Sequence, residues 1–154
     1  MIALIQRVTM ARVQVAGRTS GEIGAGLLAL IGVEHQDGPV QAARLLERML
    51  AYRVFADAAG RMNRSLHDTA GGLLLVPQFT LVADTASGNR PGFSRAAAPA
   101  QARALFEQLV GAAQAAHAPV AAGMFGAHME LTLTNDGPVT FWLAVPPGAS
   151  APEA

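Results

Sequence analysis

One stretch of this chain offers chemistry without an ionisable side chain: Gln78-Phe79-Thr80, at the point where an apolar run ends. Backbone amides at a strand end stop pairing with a neighbour, and two of them aimed at one point form an oxyanion hole suited to acyl transfer. The same residue types also fit a plain strand end whose Thr80 hydroxyl is satisfied locally. A second stretch, Asn135-Asp136-Gly137-Pro138-Val139-Thr140, separates two apolar, β-branched runs near the C-terminus. Its Gly-Pro peptide fixes φ at the proline, removes a donor and admits a cis bond, so it makes a rigid corner on which specificity can be hung. By residue type alone it also reads as an ordinary hairpin loop.

Most other chemistries are closed. All eleven basic residues are arginine, which excludes a lysine Schiff base or a phosphate-loop lysine and leaves arginine for phosphate contacts. Cysteine is absent, and disulfides, thiolate zinc sites and thiol nucleophiles go with it. His35, His67, His117 and His128 stand in separate contexts without metal-ligand spacing, so neither a metal site nor a cofactor is expected. Gly-x-Ser-x-Gly is missing, which leaves a Ser-His-Asp hydrolase assembled from distant residues open but without support, and Glu34, Asp57, Glu107 and Glu130 read as solvated surface rather than a glycosidase pair. Eleven acidic residues balance the arginines, which argues against a wholesale polyanion binder. A local basic patch stays open, with Arg61, Arg64, Arg90 and Arg95 all in loops. No run approaches membrane-spanning length and the N-terminus lacks a cationic lead, so a cytoplasmic protein is expected.

These stretches must be positioned by a core, and 154 residues, half of them hydrophobic, suffice for one domain built on Leu, Val and Ala. Alternating or apolar runs predict strands over Ile2–Val8 and Arg12–Val15 with a turn near Gly17, then a glycine-rich turn over Gly21–Gly26 into a buried strand, Leu27–Val33. Pro39 opens a helix whose Ala42, Leu45, Leu46, Met49 and Leu50 share a face. A strand over Tyr52–Phe55, a polar loop from Asp57 to Asp68 and a buried strand from Gly72 to Leu81 follow. Residues Asp84 to Pro99 read as a long loop of the kind that carries function. Pro99 starts a second helix, with Leu105, Phe106, Leu109 and Val110 inward and Pro119 closing it. Glu130–Thr134 and Val139–Val145 predict a last hairpin with Gly137-Pro138 at its tip. The pattern predicts an α/β fold of mixed, largely antiparallel, barrel-like sheets with two helices packed outside, in a single domain over 1–146 with a flexible tail over 147–154.

Taken in order, these stretches resemble the D-aminoacyl-tRNA deacylases, formerly called D-tyrosyl-tRNA deacylases. The likeness rests on Gln6-Arg7-Val8, Glu22-Ile23-Gly24 with Gly26-Leu27-Leu28, Met62-Asn63 with Ser65, Gln78-Phe79-Thr80-Leu81, Arg90-Pro91 with Phe93, Phe125-Gly126-Ala127 with Met129, and Asn135 to Thr140. The resemblance implies a homodimeric translation-proofreading hydrolase that cleaves the ester between a D-amino acid and the 3′-terminal adenosine of tRNA. It implies that Gly137-Pro138 is cis and enters the partner's active site, where it rejects L-residues by clash and lets glycine mischarged on alanine tRNA pass. Gln78, Phe79 and Thr80 would form the catalytic segment, the amides of Phe79 and Thr80 holding the oxyanion while the ribose 2′-hydroxyl assists the attacking water. Arg7 would brace the corner, and Phe125 and Met129 would line the adenosine pocket, although a Phe and a Met four apart are equally core residues. Pro77 stands where the family commonly has serine. That departure motivates one alternative, a noncatalytic aminoacyl-tRNA or nucleotide binding module with the same fold; a separate reading is an esterase with Thr80 as nucleophile.

Overall fold

A computed structural model describes residues 1–148 of the chain. Its backbone is organised on β1 (Ile2–Val15), which pairs antiparallel with β2 (Arg18–Ile23) and β3 (Gly26–Gly32) on one side. Then come α1 (Pro39–Ala51), the small hairpin β4 (Phe55–Ala56) and β5 (Met62–Arg64), the single-turn α2 (Leu66–Thr69), β6 (Gly72–Pro77), α3 (Pro99–Ala116), β7 (Val120–Ala122) and β8 (Glu130–Ala144). The main sheet runs β2-β1-β3-β6-β7, with β8 antiparallel on the other side of β1 and parallel pairing along β3-β6-β7. It curls until its first and last strands touch: a Cβ on Gly21 of β2 would lie 2.8 Å from the Ala122 carbonyl oxygen of β7. The barrel-like, mixed sheet read from the sequence is therefore the one observed.

The apolar run Leu27–Ile31 is continuous rather than alternating because both faces of β3 are covered. Leu27, Ala29 and Ile31 face the helices with Leu45, Met49 and Leu109, while Leu28 joins Leu74, Val8 and Val13 on the other face. Full burial of one such leucine stabilises the fold by roughly 1.5–3 kcal/mol. Glycine is obligatory where β3 meets β6, since a Cβ on Gly26 would sit 2.0 Å from the Gly72 carbonyl oxygen. The first strand is fixed at its start as well: the buried Met1 α-amino group donates to Asp37 Oδ1 at 2.5 Å and to the Val145 carbonyl at 2.8 Å.

Several elements differ from the sequence expectation. Residues 2–15 form one bent strand, not two, because β8 pairs along both halves across its register shifts; the turn at Ala16-Gly17 takes φ of 49° and 75°, the geometry a two-residue hairpin needs. The glycine-rich turn begins only after Ile23, since β2 keeps its ladder past Gly21. Tyr52 caps α1 in extended conformation, which leaves Phe55–Ala56 as the strand. The polar loop holds β5 and α2, the latter capped by Ser65 and Asp68 in reciprocal hydrogen bonds, so a third short helix joins the two expected. Glu34 is not plain surface: its carboxylate pairs with Arg95 and lies 3.7 Å from the α-amino group. The final hairpin does not form, because both halves of β8 find their partner in β1 rather than in each other. Residues 149–154, most of the expected tail, lie outside the described residues. Among the described residues no helix is long and apolar enough to cross a membrane.

Candidate active site

β6 stops at Pro77, which pairs with Ile31 of β3. The Gln78 amide makes the last bond, to the Ile31 carbonyl at 2.7 Å. The chain then tightens into a 3-10 turn over Phe79–Val82, where the sequence had predicted continued strand. Leu81 N–H donates to the Gln78 carbonyl and Ala83 N–H to the Thr80 carbonyl, leaving the amides of Phe79 and Thr80 without a partner among the described residues. The first N–H groups of any helical turn are orphaned in this way. The Gln78 side-chain amide donates to Thr80 Oγ1 and orients that hydroxyl; no histidine, carboxylate or amine touches it among the described residues. Thr80 opens onto a cleft of about 700 Å³ shared with His35, Arg95 and Trp142.

The second stretch is a wide bulge. Gln6 pairs with Thr140 and Val8 with Asn135, so two steps along β1 are matched by five along β8, and Asp136 to Val139 stand out from the sheet. Gly137 has φ of 132°, and the Gly137-Pro138 peptide is cis. Arg7, which the resemblance sets beside this corner, reaches it. Arg7 Nε donates to the Asp136 carbonyl at 3.0 Å and lies 3.1 Å from its carboxylate, while Nη1 donates to the Val54 carbonyl at 2.5 Å. A Cβ on Gly137 would come within 2.7 Å of Val139 Cγ2 and 3.3 Å of Arg7 Nη2. The roles of Asp136 and of the Val54 carbonyl were invisible in sequence, since these groups lie 129 and 47 residues from Arg7.

Within one chain the two stretches are far apart. Arg7 pairs with Leu27 and Leu27 with Leu73, whereas Pro77 lies four residues beyond Leu73 on β6. Corner and turn are thus separated by three strand spacings and four residues, about 14 Å across and about 13 Å along the sheet.

Phe125 and Met129 lie between β7 and β8, on the β7 side of the turn. A Cβ on Gly123 would meet Met129 Sδ at 2.9 Å and Pro77 Cδ at 3.5 Å, which sets Met129 beside the end of β6. Arg103 stacks over the Phe125 ring at 5.0 Å. Both side chains are half-buried against the core, Phe125 on the helix-facing side and Met129 on the other. On the β3 side the long loop contributes Phe93, 5.2 Å ring to ring from Phe79. The sequence signal for Phe93 was its place two residues after Arg90-Pro91 in that loop. Of the loop arginines, Arg61 pairs with Asp57, Arg64 donates to the Asp68 carbonyl, and Arg95 pairs with Glu34. Arg90 is exposed and without an ion pair among the described residues. The hydrogen bond from Asn63, with the Arg61 and Ala59 amides, holds the Asp57 carboxyl below its ordinary value; the Ser65 amide and hydroxyl do the same for Asp68. No group of three or more His, Asp or Glu is placed to share a metal ion among the described residues.

Residues 4–144 match the family described as D-Tyr-tRNA(Tyr) deacylase. The chain belongs to that family. It is 65% identical over 147 residues to the D-aminoacyl-tRNA deacylase of Thioalkalivibrio sulfidiphilus, covering 96% of this chain and 99% of the relative. To the D-aminoacyl-tRNA deacylase of Cupriavidus metallidurans it is 60% identical over 156 residues, covering 98% and 100%. A solved structure titled c-Myc DNA Unwinding Element Binding Protein superposes with a TM-score of 0.90 at 34% identity, over 95% of this chain and 99% of that one. A probable eukaryotic D-amino acid tRNA deacylase superposes at 0.78 and 16% identity over 92% and 97%, a likeness of fold. The deacylase family membership thus covers both the turn after β6 and the bulge in β8.

Proposed function

We propose that this chain is a cytoplasmic D-aminoacyl-tRNA deacylase, hydrolysing the ester that joins the amino acid to the 3′-terminal adenosine. The observation that carries the reading is the pair of unpartnered amides at Phe79 and Thr80, on a turn whose hydroxyl is already engaged by Gln78. Attack of water on the ester carbonyl makes a tetrahedral oxyanion, and one such backbone donor lowers the barrier by roughly 3–4 kcal/mol. With no protein base on Thr80 among the described residues, the ribose 2′-hydroxyl orients the water, and Thr80 positions rather than attacks. Family membership and relatives above 60% identity named for this activity support the same conclusion.

The Gly137-Pro138 corner acts as the chiral gate, and it acts in a partner's site. The separation within one chain supports this: a corner three strands away cannot touch an ester held by the same chain's amides. The active sites are then assembled at the interface of a homodimer. A wall of main chain excludes every L side chain by clash and leaves D side chains unread, so specificity comes from repulsion. Glycine has no side chain to clash, which lets glycine mischarged on alanine tRNA be cleared. Phe125 and Met129 receive the adenosine, and Pro77 takes the strand-ending role that serine fills elsewhere in the family, since β6 ends at it with the turn intact.

Incubation with D-Tyr-tRNA and L-Tyr-tRNA, with and without chelator, tests the reading. Loss of the D-ester alone, unaffected by chelator, is expected. Persistence of both esters favours the noncatalytic binding module, equal loss of both removes the gate, and chelator sensitivity brings in a metal.

A further inference from the structure

The ring of Phe79 is 60% exposed and that of Phe93 39%, although both are large apolar groups. They meet at 5.2 Å with their planes tilted by 47°, directly on the turn whose amides are free. Phe93 is held there by its loop. Asp84 and Gly92 exchange backbone hydrogen bonds at 2.8 and 2.9 Å, Ala96 N–H donates to the Phe93 carbonyl, and Ala97 N–H to the Val33 carbonyl of the segment after β3. Within the same loop Arg90 is exposed, three positions before Phe93 in the sequence. An anchored aromatic pair beside an unpaired arginine is the arrangement that stacks an unpaired base and meets its phosphate.

We propose that Phe79 and Phe93 form a stacking platform for the nucleotide immediately 5′ of the aminoacylated adenosine, with Arg90 on the connecting phosphate. The inference rests on the deacylase reading above and adds a second nucleotide subsite to it. The two flanks of the turn divide the substrate: Met129 borders Pro77 on the β7 side, where the terminal adenosine is placed, and Phe93 stands on the β3 side. The ester lies between them at the amides, and the RNA strand leaves toward the arginine.

The test is Phe93→Leu, Phe93→Tyr and Arg90→Ala assayed on D-Tyr-tRNA and on the D-tyrosyl ester of adenosine, which lacks the upstream nucleotide. Phe93→Leu is expected to raise KM for the tRNA about tenfold and for the adenosine ester at most about twofold, with Phe93→Tyr restoring the tRNA value. Arg90→Ala is expected to raise KM for the tRNA and to lower the salt slope by about one phosphate contact. The same penalty with D-Ala-tRNA as with D-Tyr-tRNA supports a base on the platform; a penalty confined to aromatic amino acids, or equal on tRNA and adenosine ester, overturns it. So does an unchanged KM on both substrates, or a Phe93→Leu chain whose oligomeric state shifts in light scattering, which makes the pair an interface between copies. Should the wild type hydrolyse neither ester, the deacylase reading fails by itself, and fluorescence titration with a trinucleotide matching the tRNA 3′ end decides the platform: affinity lost in Phe93→Leu supports it, equal affinity refutes it.

Discussion

The turn after β6 leaves its reactive amides open, tied to β3 by one backbone bond and ordered locally by the Gln78 side chain. The corner in β8 is clasped from outside, with the Arg7 guanidinium spanning the Asp136 carbonyl, the Asp136 carboxylate and the Val54 carbonyl. Under the proposed function both present bare main chain to a ligand, but they carry different burdens. An oxyanion donor needs free N–H groups, and any strand that ends in a helical turn supplies them without special side chains. A steric wall must not yield, so the corner requires ties to elements remote in sequence. Chemistry can therefore sit on a lightly restrained segment while discrimination cannot.

That contrast breaks first at the amide. Phe79→Pro keeps a conformation allowed at the first position of a helical turn while deleting one donor. Compared with Phe79→Leu, which also lacks the ring, it should lose roughly 10²–10³ in kcat by single-turnover assay on D-Tyr-tRNA; equal rates for the two variants would remove the oxyanion role. Next in size is Arg7→Ala, which frees the corner and should erode the ratio of D- to L-Tyr-tRNA hydrolysis by about tenfold or more, mainly through faster L-hydrolysis. An unchanged ratio would mean that the corner holds without its clasp. Thr80→Ala should lower kcat less than tenfold, because the hydroxyl positions and the amide remains; a chain silenced by this change, with a covalent intermediate trapped in the wild type, would make Thr80 the nucleophile.

The smallest effect concerns the loop beyond Val54. Asp57 and Asp68 are held below the ordinary 3.8 by hydrogen bonds, chiefly from Asn63 and from the Ser65 amide. A depressed folded-state value means their stabilisation is complete above the unfolded value and is lost as pH falls through the folded one. The Tm should hold down to about pH 5 and decline below about pH 4, less steeply in Asp57→Asn. A decline of the same slope in that variant would assign the acid sensitivity elsewhere.

The sheet was legible because Leu27–Ile31 and Leu73–Val76 are apolar without interruption, and the helices because Pro39 and Pro99 precede residues at helical spacing. Misreadings fell where the partner was distant. Asn135 to Thr140 resembles a hairpin tip when its flanks are imagined pairing together, yet each flank is claimed by β1. The 3-10 turn at Phe79 was hidden because Gln78-Phe79-Thr80-Leu81 has the composition of a strand, and the strand ends only where the Leu81 amide turns back to the Gln78 carbonyl. Phe93 had no periodic signal, lying in a loop that takes its shape from Asp84, Gly92 and Val33.

By itself the sequence determined the α/β class, the restriction of phosphate contacts to arginine, and the exclusion of thiol and lysine chemistry. Residue types carry that much because composition, periodicity and proline placement act locally. Only the tertiary structure decided that the Phe79 and Thr80 amides are unpartnered, that Arg7 reaches Val54 as well as Asp136, and that the corner stands three strands from its own chain's turn. Those are facts of register and strand order, set when residues more than a hundred positions apart pair along β1, and no local pattern encodes them.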